Sequence, residues 1–288
     1  MSAMVRIEAL LKETGLGVHT VSVHLLLYQA LFLSCITFNS QAWSNIKETD
    51  MDQLETMQLK CLKKILQLPR STTNSFVFLE FGEVPIRYII DRNQLSFLHH
   101  IVHLEDDDPV KVMWQQMKRF VGEKNWWHRV KGLMTKYGIT MDHVQTMRKS
   151  SYKKLVKENV RMVALACLTK QCGEKTKTET LRYSSLNPQE YLLQLFPNQA
   201  KVILQCRSKS LDIKEYRQYM YKDMVCRLCK KADETLDHVV NCGSEEVIDS
   251  SMIFANNVEF TYERKLLYIT IASRISRFME EIKEEKKL

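Results

Sequence analysis

The chain has 288 residues, of which 45% are hydrophobic and 26% charged, with a formal net charge of +8. This is globular composition and excludes a disordered or fibrous chain; the length allows one large domain or two ordinary ones with real cores. Only 8 Gly and 5 Pro occur, fewer than sheets joined by tight turns normally use, so the expected fold class is mostly α.

Residues 1–104 read as a first helical unit. The apolar run Leu25–Phe38 is interrupted by Gln29 and Ser34 and is shorter than the roughly 20 residues of a spanning helix, so no membrane partner is expected. The start, Met-Ser-Ala-Met, shows no basic region followed by a small-residue cleavage site. Met51–Leu68 carries Leu54, Met57, Cys61, Leu62, Ile65 and Leu68 near helical spacing, with Lys60, Lys63 and Lys64 off the stripe and Pro69 as a stop. Ser71–Ser75 is a polar connection. Phe76–Phe81 suits a strand by propensity or the start of another helix. After the turn Gly82–Pro85, a helix is expected from Pro85 to Leu104. His99 and His103, four apart, could hold a metal, but no second ligand pair is near, and packing or surface histidines explain them better. Glu105–Asp108 resembles an acidic metal cluster, yet Asp108 followed by Pro109 is a helix cap, with Asp106 and Asp107 left in solvent.

Residues 105–182 read as a basic helical linker domain. The charge is uneven along the chain: residues 1–110 balance to −4, residues 111–182 to +12, and residues 183–288 to zero. Such a block attracts polyanions by releasing their counterions; a solvated basic face is the plainer alternative. The clearest helix, Ser151–Lys170, has Tyr152, Leu155, Val156, Val160, Val163 and Cys167 on one stripe and Lys153, Lys154, Lys157 and Arg161 off it. Trp126 and Trp127 lie among Lys124, His128, Arg129 and Lys131, where stacking on bases is conceivable and a core anchor is simpler. Lys118 and Arg119 join the candidate phosphate contacts.

Residues 183–288 read as a helical C-terminal region. Helices are expected near 188–195 and 198–206, over Ile213–Met224, and over Glu263–Lys287 with a seam of Leu266, Leu267, Ile271, Ile275, Phe278 and Ile282. Between them, Cys226, Cys229, His238 and Cys242 follow the spacing C-x2-C-x8-H-x3-C. The close Cys pair suits a tight turn, and His238 and Cys242 share a helix face. Asp233 or Glu234 would open that helix, and Leu236, Val239 and Val240 would support it. Three thiolates and one imidazole match a structural, tetrahedral Zn²⁺ within residues 226–242, with no open position for a catalytic water. Arg227, Lys230 and Lys231 decorate this knuckle and could touch phosphate or simply be solvated. The other five cysteines (Cys35, Cys61, Cys167, Cys172 and Cys206) are scattered, which fits a reducing compartment. An intracellular, nuclear or cytoplasmic location is expected, not a secreted one. No Gly-rich phosphate loop, G-x-S-x-G or H-E-x-x-H occurs.

The stretches Leu31–Asn45, Leu59–Asn74 and Gln94–Ile101, followed by the Cys-Cys-His-Cys knuckle, resemble in content and order the region after the polymerase palm of LINE-type non-LTR retrotransposon reverse transcriptases. The resemblance runs from about residue 20 to Cys242. It implies a helical thumb-like bundle, a basic linker and a zinc knuckle that help hold template RNA and target DNA. The family's paired catalytic Asp on a β-hairpin has no counterpart, since Asp106-Asp107-Asp108 lies downstream of the thumb-like segment. The expectation is therefore a non-catalytic piece, a truncated relic or a gene built from such an element, with RNA and/or DNA as partner and an upstream polymerase domain missing. A helical protein-interaction adaptor and a product without function are the alternatives.

Overall fold

The computed structural model describes residues 21–44, 46–120, 125–255 and 260–285. About two thirds of it is helix, and among the described residues the only extended pairing is one antiparallel bridge, Val225 to Asp233. In chain order the helices are α1 (Val21–Leu27), α2 (Ser34–Ile36), α3 (Glu48–Ile65), α4 (Asn74–Phe81), α5 (Ile86–Val102), α6 (Pro109–Met117), α7 (Trp126–Tyr137), α8 (Met141–Thr146), α9 (Lys149–Gly173), α10 (Glu190–Gln194), α11 (Pro197–Arg207), α12 (Leu236–Asn241) and α13 (Tyr262–Glu285). None is long and apolar enough to cross a membrane. The described residues form two compact units, one from 29–44, 46–60, 83–120 and 125–167, the other from 21–28, 61–82, 168–255 and 260–285.

The first of these units is organised by α5. Its Ile86 and Ile90 join Met51 of α3 in a core that Ile36, Trp43, Ile46 and Leu54 cover. On another face Asp91, 3% exposed, receives Arg129 at 3.2 Å and Lys136 at 3.0 Å, and accepts from the Tyr137 hydroxyl at 2.6 Å. A buried carboxylate is tolerable only with such a full set of donors. Tyr152 of α9 donates to the Leu95 carbonyl at 3.1 Å. Trp126 is the core anchor of the Trp pair, its Nε1 donating to the Gln41 carbonyl at 2.7 Å. His99 sits 2.9 Å from the Met147 carbonyl and is buried, while His103 stacks on it from the exposed side. Asp108 caps α6 through Val110 N at 2.8 Å, with Pro109 in the first turn.

In the other unit, α4 is a helix and not a strand, with every residue from Ser75 to Phe81 buried. Propensity favoured both, and burial all round removes the alternation that would have separated them. Gly82 ends α4 at φ +66, and a Cβ there would lie 2.2 Å from Pro188 N, so only glycine fits. Glu80, fully buried, is met by Arg207 Nη2 at 2.7 Å and by the hydroxyls of Tyr183 and Tyr191, each at 2.5 Å. Burial first, and then the neighbouring Glu80, push both phenols well above their ordinary range. α11 and α12 pack on α13. Its seam is Arg264, Tyr268, Ile271, Ala272, Ile275, Phe278 and Ile282; Leu266, expected in it, is 46% exposed. Ile213–Met224, expected as a helix, is instead a short tight-wound segment, Lys214–Met220, broken at Arg217 (φ −133, ψ 35).

Candidate metal centre

Cys226, Cys229, His238 and Cys242 converge, each offering one ligand atom, and these atoms all lie within 4.8 Å of one another. Local backbone explains how. Cys226 N donates to the Ala232 carbonyl at 2.7 Å and Glu234 N to the Met224 carbonyl at 2.7 Å, closing a small hairpin. Lys230 turns it in the left-handed region at φ 57. That turn directs Cys226 and Cys229 to one side. α12 then brings His238 to them, and Cys242 follows as the residue just beyond the helix. Thr235 caps α12, its hydroxyl accepting from His238 N at 3.2 Å. The cap is therefore neither Asp233 nor Glu234, because Glu234 is engaged elsewhere. Leu236, Val239 and Val240 are buried beneath the site, as expected.

The spacings suit four ligands around one ion. Cys226 and Cys242 sulfurs are 3.9 Å apart, and Cys229 Sγ lies 3.3 Å from His238 Nε2. Metal bonds of tetrahedral zinc give edges of about 3.8 Å between sulfurs and about 3.5 Å between sulfur and nitrogen. The Lys231 amide, 3.5 Å from Cys229 Sγ, holds that thiol down at about 6, while burial pushes Cys242 up to about 12. A bound cation would deprotonate such thiols outright. Cys226 is fully buried and the other three partly so.

Around the cluster, charge is turned inward. Arg227 Nη2 meets Glu234 Oε1 at 2.6 Å, with side-chain exposures of 11% and 0%, and also donates to the Asp212 carbonyl at 2.6 Å. Glu234 further accepts from the backbone amides of Lys214 at 3.1 Å and Arg227 at 3.0 Å. Burial alone would raise this carboxyl, but Arg227 outweighs it and the net shift is downward. Arg227, read from the sequence as either a phosphate contact or a solvated cation, is held on Glu234 as a brace of the knuckle. Arg274 of α13 clamps the far end, donating to the Glu246 carbonyl at 2.9 Å. The sequence marked Arg227 as a cation of the knuckle but gave no sign of its carboxylate partner, and it gave no sign of Arg274 at all, since each pair is set by the turn geometry and not by a helix or strand period.

Lys153, Lys154 and Lys157 are exposed on α9, and only Lys154 has an ion-pair neighbour among the three, Glu158 at 3.9 Å. Arg161 is half-buried near Glu83 and Arg92. Lys118 is exposed, its Nζ 4.4 Å from the Trp114 ring centre, and Arg119 and Lys131 are exposed. Arg129 is bound to Asp91 and to Gln94 at 2.8 Å, so its charge is used within the core and not offered outward. Lys230 and Lys231 are exposed, Lys230 Nζ reaching back to the Arg227 carbonyl. Lys124 lies outside the described residues.

Fold and site together define a helical chain with a clustered three-cysteine, one-histidine centre. No known family model, curated protein or solved structure matches it.

Proposed function

We propose that the chain is a non-catalytic nucleic-acid-binding protein with one structural Zn²⁺ on Cys226, Cys229, His238 and Cys242. On this reading it is similar to the thumb, linker and knuckle region of a LINE-type reverse transcriptase, and it holds an RNA template or target DNA. The observation that carries it is the outer face of α9. Lys153, Lys154 and Lys157 span only about 100° of the helix circumference at 100° per residue, while Tyr152, Val156 and Val160 are buried. Cations held in register on a packed helix are suited to successive phosphates. The zinc reading is supported by the ligand chemistry: three thiolates and an imidazole close a tetrahedron and leave no position for a reacting water. Fluorescence anisotropy with RNA and DNA oligonucleotides at rising salt tests the binding. Affinity that falls steeply with salt is expected, because displaced counterions drive such association. Affinity that holds at high salt, or is absent at low salt, rejects it.

A second reading, a helical protein-interaction adaptor, is favoured by one feature. A cavity of about 460 Å³ is walled by Phe97, Ile101, Val110, Met113 and Trp114, and Val110 and Met113 are 45% and 59% exposed. Salt-insensitive association with another polypeptide would support it.

A further inference from the structure

We propose that the loop Arg70–Ser75 and the N-terminus of α4 form a binding site for a phosphate group. The site stands on its own residues, and only the source of the phosphate, a nucleic-acid backbone, rests on the function proposed above.

The loop is built around an internal cation. Lys63 Nζ donates to the Arg70 carbonyl at 2.9 Å, to the Thr72 carbonyl at 2.6 Å and to Asn74 Oδ1 at 2.8 Å. All three ammonium protons are engaged, so the lysine shapes the loop and leaves its charge directly behind it. The loop leads into α4, an eight-residue helix whose Thr73 cap makes no side-chain hydrogen bond. The first turn of a helix carries amides without intrahelical acceptors. Among the described residues, the Asn74, Ser75 and Phe76 amides donate to no acceptor, the first such bond being Val77 N to the Thr73 carbonyl at 3.2 Å. These donors, with the positive end of the helix dipole, suit an anion.

An independent observation points to a missing partner. Thr72 is 4% exposed, and its Oγ1 has no hydrogen-bond partner. A buried hydroxyl left unmade costs about 1–3 kcal/mol, so such a group calls for a ligand. Thr72 helps to wall a cavity of about 570 Å³ that Arg70, Asn74, Ser75, Glu174 and Lys175 also line. Arg70 and Lys175 are exposed cations at its mouth, and Glu174 is the one acidic side chain there. Amides at a helix start, a spare hydroxyl and two mobile-length cations form the donor set that a tetrahedral oxyanion accepts from. Glu174 opposes it and sets a sign for the test.

The experiment is an amide chemical-shift titration of the full ¹⁵N-labelled chain with inorganic phosphate at fixed ionic strength. Saturable shifts at Asn74, Ser75 and Phe76 are expected. Thr72→Val should weaken phosphate about tenfold while leaving the melting temperature equal or higher, since removing an orphan hydroxyl is not destabilising. Arg70→Gln with Lys175→Gln should weaken it by about tenfold or more, and Glu174→Gln should tighten it about threefold by removing a like charge. No saturable shift in the unaltered chain, or equal affinity in Thr72→Val, overturns the site. A short oligothymidylate is then added. Competition with phosphate identifies the source as a phosphodiester backbone. Phosphate binding without competition keeps the site for free phosphate and counts against the nucleic-acid reading. Oligonucleotide binding without phosphate shifts sinks this site and leaves that reading standing.

Discussion

The knuckle region and the outer face of α9 use charge in opposite ways. Around Cys226–Cys242 three cations are each held by a carboxylate: Arg227 by the buried Glu234, Arg274 by Glu246 at 3.2 Å and Lys214 by Asp223 at 2.6 Å. On α9 the cations Lys153, Lys154 and Lys157 face solvent with one distant carboxylate between them. The lesson is that a charge count measures attraction for phosphate only after inward-facing pairs are subtracted. Arg129 sits in the basic segment 111–182 and is held by Asp91; Lys230 and Lys231 sit in the neutral segment 183–288 and are exposed.

The largest effect expected on the inward side is at the ligands. Cys229→Ser should lower zinc content from one ion per chain to near zero and increase amide exchange through the region after Met220. Metal binding and folding are one equilibrium in so small a unit, and unchanged metal content would reject the ligand set. Next is the buried pair of α4 and α11. Glu80→Gln keeps a polar partner for Tyr183 and Tyr191 but leaves the Arg207 guanidinium, 1% exposed, without its counter-charge. Unfolding by urea should show a loss of about 3–5 kcal/mol, as for other buried pairs broken on one side. A double change, Glu80→Gln with Arg207→Met, should recover part of it, because no uncompensated charge remains. If Glu80→Gln alone costs under about 1 kcal/mol, the pair is not the brace its burial implies.

On the outward side the expectation reverses, with large effects on binding and small ones on stability. Replacing Lys153, Lys154 and Lys157 by Gln should lower the slope of log affinity against log salt by about 3 for duplex DNA, close to one per phosphate contact. The melting temperature should hardly move, since exposed lysines contribute little to stability. An unchanged slope would mean that these three do not meet phosphate. The comparison would then collapse into a simpler statement, that α9 carries a solvated face.

Much of this was legible because it is local. The knuckle ligands fall within 17 residues and their spacing encodes the turn and the helix face; Asp108-Pro109 states its cap in two residues; the period of Ser151–Lys170 gives α9. What was not legible is long-range or geometric. Glu80 and Arg207 are 127 residues apart, and neither carries a local mark of its partner. Glu234 looked like a helix opener because it precedes α12, but its carboxylate meets Arg227 through the hairpin and leaves the cap to Thr235. Ser71–Ser75 read as a polar connection, because only the fold reveals that Lys63 gathers it. Leu266 fitted the period of α13, yet Tyr268 fills the seam and donates to the Met252 carbonyl at 3.2 Å.

The smallest expected effect separates placement from count within a single run of like charge. Of the acidic residues Glu105–Asp108, Asp108 accepts from Val110 N at 2.8 Å to cap α6, Asp106 makes a surface pair with Lys111 at 2.8 Å while itself 91% exposed, and Asp107 is exposed. Asp108→Ala should therefore cost about 1 kcal/mol, the usual loss for a carboxylate cap, whereas Asp107→Ala should stay within about 0.5 kcal/mol of the unaltered chain. Urea titrations of the two variants make the measurement directly. Equal losses would mean that the run acts as a block of negative charge, and that the distinction between charges that hold structure and charges that face solvent fails even where it is easiest to draw. Unequal losses in the expected order would extend the rule found at Arg227 and Lys153, that position relative to a specific donor or acceptor decides what a charged residue does, to the acidic side chains as well.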